Sequence, residues 1–181
     1  MSTVRFKEEV AQATTESKTQ GKFLEELRQI TVAVRAAQHR ARPPVMTAIS
    51  ELSISKCRQI YKEVTGKDPN KGPLPSDTSY FVSASHLHIE SAWLAQAYWR
   101  LAKNETSIRD QVESLFLTYE LYIQEFVAPS LNFDRVFLLT RHLHCSDITI
   151  SSCKSCGGVH LQVKSYNPKR SVKCPVCCML N

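Results

Sequence analysis

Four cysteines near the end of the chain have the residue type and spacing of a metal site. They form two Cys-x-x-Cys pairs separated by residues 157–173, namely Cys153 with Cys156 and Cys174 with Cys177. Two such pairs at this separation predict a four-thiolate zinc site of the ribbon type. Gly157 and Gly158 follow the first pair, and glycine allows the positive φ angle of a tight turn around a metal. We expect one structural Zn²⁺ per chain, because four protein ligands leave no coordination position for a reactive water.

Two neighbouring residues offer further metal-binding atoms. His160 lies between the cysteine pairs as an alternative ligand, and Cys178 directly follows Cys177 as a spare thiol. Four cysteines already complete a tetrahedral shell. We therefore predict the four paired cysteines as the ligands, while exchange of Cys178 with Cys177, or its oxidation, stays open.

Paired cysteines also occur as disulfides in secreted domains and as dithiols in redox enzymes. The first ten residues lack an apolar segment and carry charge from Arg5 onward, which is unlike a signal peptide. No window approaches the roughly eighteen apolar residues of a membrane span. The seven cysteines are an odd number, so disulfides could not pair them all. These features predict a cytoplasmic protein without membrane contact, whose paired cysteines hold metal.

Catalytic patterns are missing from the sequence. No carboxylate pair, phosphate-cradling glycine loop or nucleophile–base arrangement stands out, and each Cys-x-x-Cys pair has a second pair with which to share a metal. We therefore expect a protein that is not an enzyme, and a dithiol redox enzyme is the enzymatic alternative.

Apolar residues recur at helical spacing through most of the first 145 residues. The predicted helices are residues 21–40, 45–52, 56–64, 85–103, 107–127 and 133–144. Alternation of polar and apolar residues predicts a strand at 160–164, with a return strand at 171–173. The expected fold is mainly α. It comprises a helical domain at residues 1–147, which includes a partner-binding bundle, and a four-cysteine zinc ribbon with a short β-hairpin at residues 148–181.

Residues 45–65 predict two short helices joined by a turn of about three residues, the arrangement of a helix-turn-helix. The second helix carries a polar face that could read and hold DNA, composed of Lys56, Arg58, Gln59 and Lys62. Side chains near the start of such a helix reach base edges, where Arg pairs with guanine and Gln with adenine. An αα-corner without DNA contact is the alternative, since the turn lacks the usual glycine.

The last acidic residue of the chain is Asp147, and every later charge is positive. Four thiolates on Zn²⁺ carry a formal charge of about −2, which some of the lysines offset. The remaining charge predicts a second surface for a polyanion, composed of Lys164, Lys169, Arg170 and Lys173. A solvated charged face is the alternative for either basic surface.

Short motifs across residues 45–178 resemble the FlhC subunit of the bacterial flagellar master regulator in their order and spacing. The motifs are Leu52-Ser53, Ile60-Tyr61-Lys62-Glu63-Val64, Gly66, Pro69, Lys71-Gly72, Leu74-Pro75, Tyr80-Phe81, the run from Ser151 to Gly158, and the second cysteine pair. The chain differs from the usual family pattern at Tyr80, where tryptophan is common, and after Cys177, where a basic tail is common.

The resemblance implies a mainly helical subunit that binds zinc through Cys153, Cys156, Cys174 and Cys177. It further implies assembly with FlhD into a heterohexamer that activates flagellar gene promoters. We therefore expect a zinc-containing, DNA-binding activator subunit with three partners: an FlhD-like protein, double-stranded promoter DNA and RNA polymerase. A zinc-ribbon adaptor that binds protein partners without DNA is the alternative.

Overall fold

The structure is a computed structural model that describes residues 21–74, 76–102, 108–164 and 174–180. The chain divides into two compact units, Met1–Lys71 and Gly72–Asn181. The boundary predicted after residue 147 lies inside the second unit, because the strands that follow this residue pack against helices of that unit. No helix in these described ranges is both long and apolar enough to cross a membrane.

The described part of the first unit, residues 21–71, contains three helices, which are α1 (residues 21–38), α2 (Pro43–Ser50) and α3 (Ile54–Thr65). Small side chains allow close packing in its core, where Ala33, Ala36 and Ala37 are fully buried. Across the unit, Lys56 on α3 donates to Glu26 on α1 over 2.7 Å. The predicted helix pair is therefore present and is supported by a third helix.

The turn between α2 and α3 has three residues, as predicted. Glu51 takes the left-handed conformation with φ 64° and ends α2, in the position where a glycine would be expected. Ser53 then begins α3, because its hydroxyl accepts a hydrogen bond from the backbone N–H of Lys56 over 3.3 Å. Gly66, with φ 68°, ends α3.

The second unit is built on three helices, which are α4 (Ser85–Leu101), α5 (Ile108–Glu125) and α6 (Phe133–His144). A 3-10 helix at Thr78–Val82 precedes them. Aromatic rings fill the core, with Phe116 stacked on Phe133 at a centroid distance of 5.2 Å. The helical period of the sequence predicted α6 to the residue.

The buried carboxylate of Glu90 links α4 to α5 and to the loop that follows α5 through hydrogen bonds. Glu90 accepts hydrogen bonds from the Tyr122 hydroxyl and from the backbone N–H and hydroxyl of Ser130, the last two at 2.9 and 2.8 Å. Burial raises the pKa of Glu90, but these hydrogen bonds outweigh burial and leave the pKa below its usual value. Glu90 is therefore held ionised inside the helical core.

A two-stranded antiparallel hairpin follows α6 and consists of β1 (Ile148–Ser152) and β2 (Val159–Val163). The predicted strand at 160–164 corresponds to β2, but β1 was not predicted. Residues 165–173, which include the predicted return strand, lie outside the described part of the chain. A short helix, α7 (Pro175–Leu180), follows and packs on α4.

His88 joins α4 to the outer edge of β2. Its Nε2 accepts a hydrogen bond from the backbone N–H of Leu161 over 2.9 Å, and the His160 ring lies edge-on at 6.2 Å. Burial, assisted by His160, lowers the pKa of His88 to about 4. The ring is therefore neutral at pH 7, as an acceptor must be.

Acid should weaken the folded state through His88. The unfolded chain binds a proton at this residue below its ordinary pKa of 6.5, whereas the folded chain does so only near pH 4. Stability is therefore lost as the pH falls from 6.5 to 4, by up to about 3 kcal/mol at about 1.4 kcal/mol per pKa unit. Urea unfolding at pH 7 and pH 4 should show a smaller loss for His88→Gln, which keeps an acceptor without titrating. Equal losses in both proteins would contradict this role.

Candidate metal centre

The two cysteine pairs reach one point from different elements. Cys153 and Cys156 lie in the loop between β1 and β2, which makes the hairpin a support for the first pair. Cys174 directly precedes α7 and Cys177 lies in its first turns. The second pair is therefore held at the start of a helix, which the sequence did not predict.

The four sulfur atoms have the spacing of a tetrahedral metal site. Cys153 Sγ lies 3.7 Å from Cys177 Sγ, and Cys156 Sγ lies 3.6 Å from Cys174 Sγ. All four lie within 4.8 Å of one another. A zinc–sulfur distance of about 2.3 Å in a tetrahedron gives sulfur–sulfur edges of about 3.8 Å, whereas a disulfide requires about 2.05 Å. The cluster therefore fits a metal ion and does not contain disulfides.

Backbone groups shape the first cysteine loop around its sulfurs. The N–H of Gly158 points at Cys156 Sγ over 3.4 Å, and Gly157 takes φ 71°. A Cβ on Gly158 would lie 3.2 Å from Cys156 Sγ and 3.6 Å from Val176 Cγ2. The loop thus needs glycine at 157 for its conformation and at 158 for space.

The thiols differ in their affinity for protons. Hydrogen bonds from the backbone N–H groups of Cys156 and Ser155 lower the pKa of Cys153 to about 6. Contacts with Cys156 and Cys153 raise the pKa of Cys177 to about 12. Proton loss at one thiol therefore opposes proton loss at its neighbour. The positive charge of a bound cation would offset the repulsion between neighbouring thiolates. Thiolates rather than thiols ligate metals, so metal binding and proton loss would occur together.

His160 and Cys178, the two further candidate metal ligands, lie outside the cluster of four cysteines. His160 is buried in β2, where its Nε2 lies 2.8 Å from Gln162 Nε2. Cys178 is exposed on α7, and its N–H donates to the Cys174 carbonyl over 3.1 Å. The group of four convergent ligands, among the residues described, contains neither of them.

The predicted DNA-contacting residues on α3 lie at the surface, and three of them have polar partners within the first unit. Lys56 is engaged with Glu26, Gln59 donates to Glu63 over 2.9 Å, and Lys62 lies 3.5 Å from Asp68. Arg58 is exposed. All three pairs are solvent-exposed and therefore weak, so Lys56, Arg58, Gln59 and Lys62 are all accessible on α3, and Lys56 in addition links α3 to α1.

The second predicted basic surface is only partly described. Lys164 is exposed at the end of β2, and its N–H donates to the Asp147 carbonyl over 3.0 Å. Lys169, Arg170 and Lys173 lie outside the described residues. Their contribution to a DNA-binding surface stays a prediction.

Comparison with known proteins identifies the family. A family model described as "Flagellar transcriptional activator (FlhC)" matches residues 18–181. The chain belongs to the FlhC family. A flagellar transcriptional regulator FlhC from Verminephrobacter eiseniae is 33% identical over 139 residues, which cover 75% of this chain and 74% of that protein. The FlhC proteins of Pectobacterium carotovorum and Erwinia tasmaniensis are each 28% identical, with 86% and 87% of this chain and 81% and 89% of those proteins covered.

Membership in the FlhC family makes this chain one of the flagellar transcriptional regulators. The resemblance seen in the sequence motifs is thereby confirmed. The mainly helical fold with a small hairpin and a four-cysteine cluster is confirmed by the structure.

Adding a methyl group at Gly158 should weaken metal binding. In Gly158→Ala the new Cβ presses on Cys156 Sγ, which the other three sulfurs prevent from moving freely. We expect zinc affinity to fall about tenfold, the lower end of the effect of disturbing groups around metal ligands. Competition with a chromophoric chelator measures this affinity. Gly21→Ala, where a Cβ meets no atom within 4 Å, is the matched control and should bind like the wild type. Wild-type affinity in Gly158→Ala would contradict the packing argument.

Proposed function

We propose that this chain is a zinc-containing, DNA-binding subunit that activates flagellar gene promoters together with an FlhD-like protein. Membership in the flagellar transcriptional activator family is the observation that carries this proposal. The metal, the DNA surface and the partner each have separate support in the described residues.

Zinc is the proposed metal because of the donor set. Four cysteine sulfurs are the usual ligands of structural Zn²⁺, and zinc tolerates a closed tetrahedral shell. The residues that would hold the ion are Cys153, Cys156, Cys174 and Cys177. Zinc bound there carries no reaction; it fixes the hairpin loop to the start of α7.

DNA binding is proposed for the exposed face of α3. Arg58 and Lys62 lie one helical turn apart, and Gln59 lies between them. Arginine and glutamine can make bidentate hydrogen bonds with bases, and lysine neutralises phosphate. The exposed pairs of Lys62 with Asp68 and of Gln59 with Glu63 are easily exchanged for such contacts. Lys56 is proposed as a further cation of this surface, because its ion pair with Glu26 is exposed as well.

A protein partner is proposed because apolar side chains are exposed in both units. On α1, Phe23, Leu24 and Leu27 are 67%, 60% and 51% exposed. On α5, Leu117 and Leu121 lie one turn apart and are 40% and 46% exposed. Helical faces of this kind usually mark interaction surfaces. An FlhD-like protein is the proposed occupant, and RNA polymerase is the further partner that promoter activation requires.

Removing the cations of α3 should weaken DNA binding without changing the metal. The double variant Arg58→Ala/Lys62→Ala, purified with an FlhD-like protein, should bind a flagellar promoter fragment at least about tenfold more weakly. The slope of log affinity against log salt should decrease by about one for each phosphate that the variant no longer neutralises. Fluorescence anisotropy at several salt concentrations measures both quantities.

Lys22→Ala is the matched control, because it removes an exposed cation from α1 of the same unit. It should retain wild-type affinity, and zinc content should be unchanged in every variant. Unchanged DNA affinity in the double variant would place the contact surface elsewhere. A stable complex with the partner that binds no promoter DNA would favour the adaptor alternative.

A further inference from the structure

A groove of about 500 Å³ lies beside the hairpin in the second unit. Its walls include Trp99 and Arg100 from the end of α4 and Leu143 from α6. The remaining wall is β1, through Ile148, Thr149 and Ile150. Successive side chains of a strand point to opposite faces, so a groove lined by three successive residues must reach the edge of that strand.

The ladder of hydrogen bonds shows which backbone groups lie on this edge. The N–H of Lys164 donates to the Asp147 carbonyl, and the N–H of Cys153 donates to the Gly158 carbonyl. Facing pairs alternate between bonded and non-bonded in an antiparallel ladder. The register therefore turns the N–H and C=O groups of Ile148 and Ile150 away from β2 and toward the outer edge of β1. Ile148 is buried, with 1% exposure, so the accessible outward groups in the groove are those of Ile150.

The two outer edges of the hairpin differ in their hydrogen-bond partners. On the β2 edge, His88 accepts the hydrogen bond of the outward Leu161 N–H. On the β1 edge, none of the described elements pairs with the strand, because the sheet contains only β1 and β2. An unpaired strand edge is a template for a further strand, and here it borders an apolar groove.

The side chains around the edge indicate the chemistry of a partner. Trp99 is 51% exposed and offers a large apolar surface beside Leu143 and Ile148. Arg100 is the charged residue of the groove wall and is exposed. Neither β1 nor β2 contains an acidic side chain that would repel a carboxylate.

We propose that this groove binds an extended segment of a partner protein that is acidic and apolar in alternation. The segment pairs its backbone with Ile150 as a third strand, places an apolar side chain beside Trp99, and directs a carboxylate to Arg100. Main-chain hydrogen bonds supply affinity in this mode of recognition, and pockets for alternate side chains supply specificity. This surface is separate from the α3 face proposed for DNA, and it does not depend on that proposal.

Synthetic peptides test this surface on the full zinc-loaded chain. The probe is a fluorescein-labelled, acetylated hexapeptide Glu-Val-Leu-Val-Glu-Val. One matched peptide replaces glutamate with lysine, and a second carries N-methyl groups on the alternate residues that would face β1. We expect both matched peptides to bind at least about tenfold more weakly than the glutamate peptide, which corresponds to a loss of about 1.4 kcal/mol of binding free energy. Hydrogen exchange of the Ile150 amide should slow when the glutamate peptide is bound.

Charge reversal supplies the decisive variant. Arg100→Glu should reverse the preference, so that the lysine peptide binds more tightly than the glutamate peptide. Lys67→Glu is the matched control, because it makes the same charge change at an exposed residue of the first unit, and it should leave the preference unchanged. Equal binding of the glutamate and N-methylated peptides would overturn the strand-pairing model. Absence of binding by every peptide, or protection of β1 by duplex DNA in place of the peptides, would overturn the proposal as well.

Discussion

The hairpin and α7 depend on one constraint, which is that four cysteine sulfurs meet at one point. The loop of a two-stranded hairpin and the first turns of α7 meet there, with opposite sulfurs 3.6 and 3.7 Å apart. Neither element is sufficient alone, because an isolated hairpin is marginally stable and a helix of six residues is too short to persist in water. A structural zinc ion supplies roughly 10–16 kcal/mol of apparent binding free energy in small peptides. Metal and local fold should therefore form together, and Gly158 leaves the space that this meeting requires.

Helix α4 connects this metal centre to the helical core. Glu90 binds the Tyr122 hydroxyl and Ser130 on one part of the helix, and His88 holds the edge of β2. Both are buried polar groups that would be costly if unpaired, so they specify one arrangement of the elements they join. The same helix ends in Trp99 and Arg100 beside the open edge of β1. One helix thus supports the metal centre, closes one edge of the hairpin and forms a wall beside the other.

The sequence predicted those features that depend on residues close together in the chain, namely helices and the spacing of metal ligands. The apolar period predicted the long helices, including Phe133–His144 to the residue, and cysteine spacing predicted the four convergent sulfurs. It did not predict β1, although Ile148, Thr149, Ile150 and Ser151 alternate apolar and polar residues, or the short helix α7 that carries Cys177. Nor could it show that Glu51 takes a left-handed conformation where glycine was expected. The ion pair of Lys56 with Glu26 depends on the packing of α1 against α3, which no local pattern encodes.

The central claim is that this FlhC-family chain is organised at its end by one zinc ion in a cage of four cysteines. X-ray absorption at the zinc edge, combined with metal analysis of the purified chain, measures this most directly. The account predicts one zinc per chain with four sulfur neighbours at about 2.3 Å and no nitrogen neighbour. A shell containing nitrogen or oxygen ligands, or a folded protein without metal whose cysteines form disulfides, would contradict it.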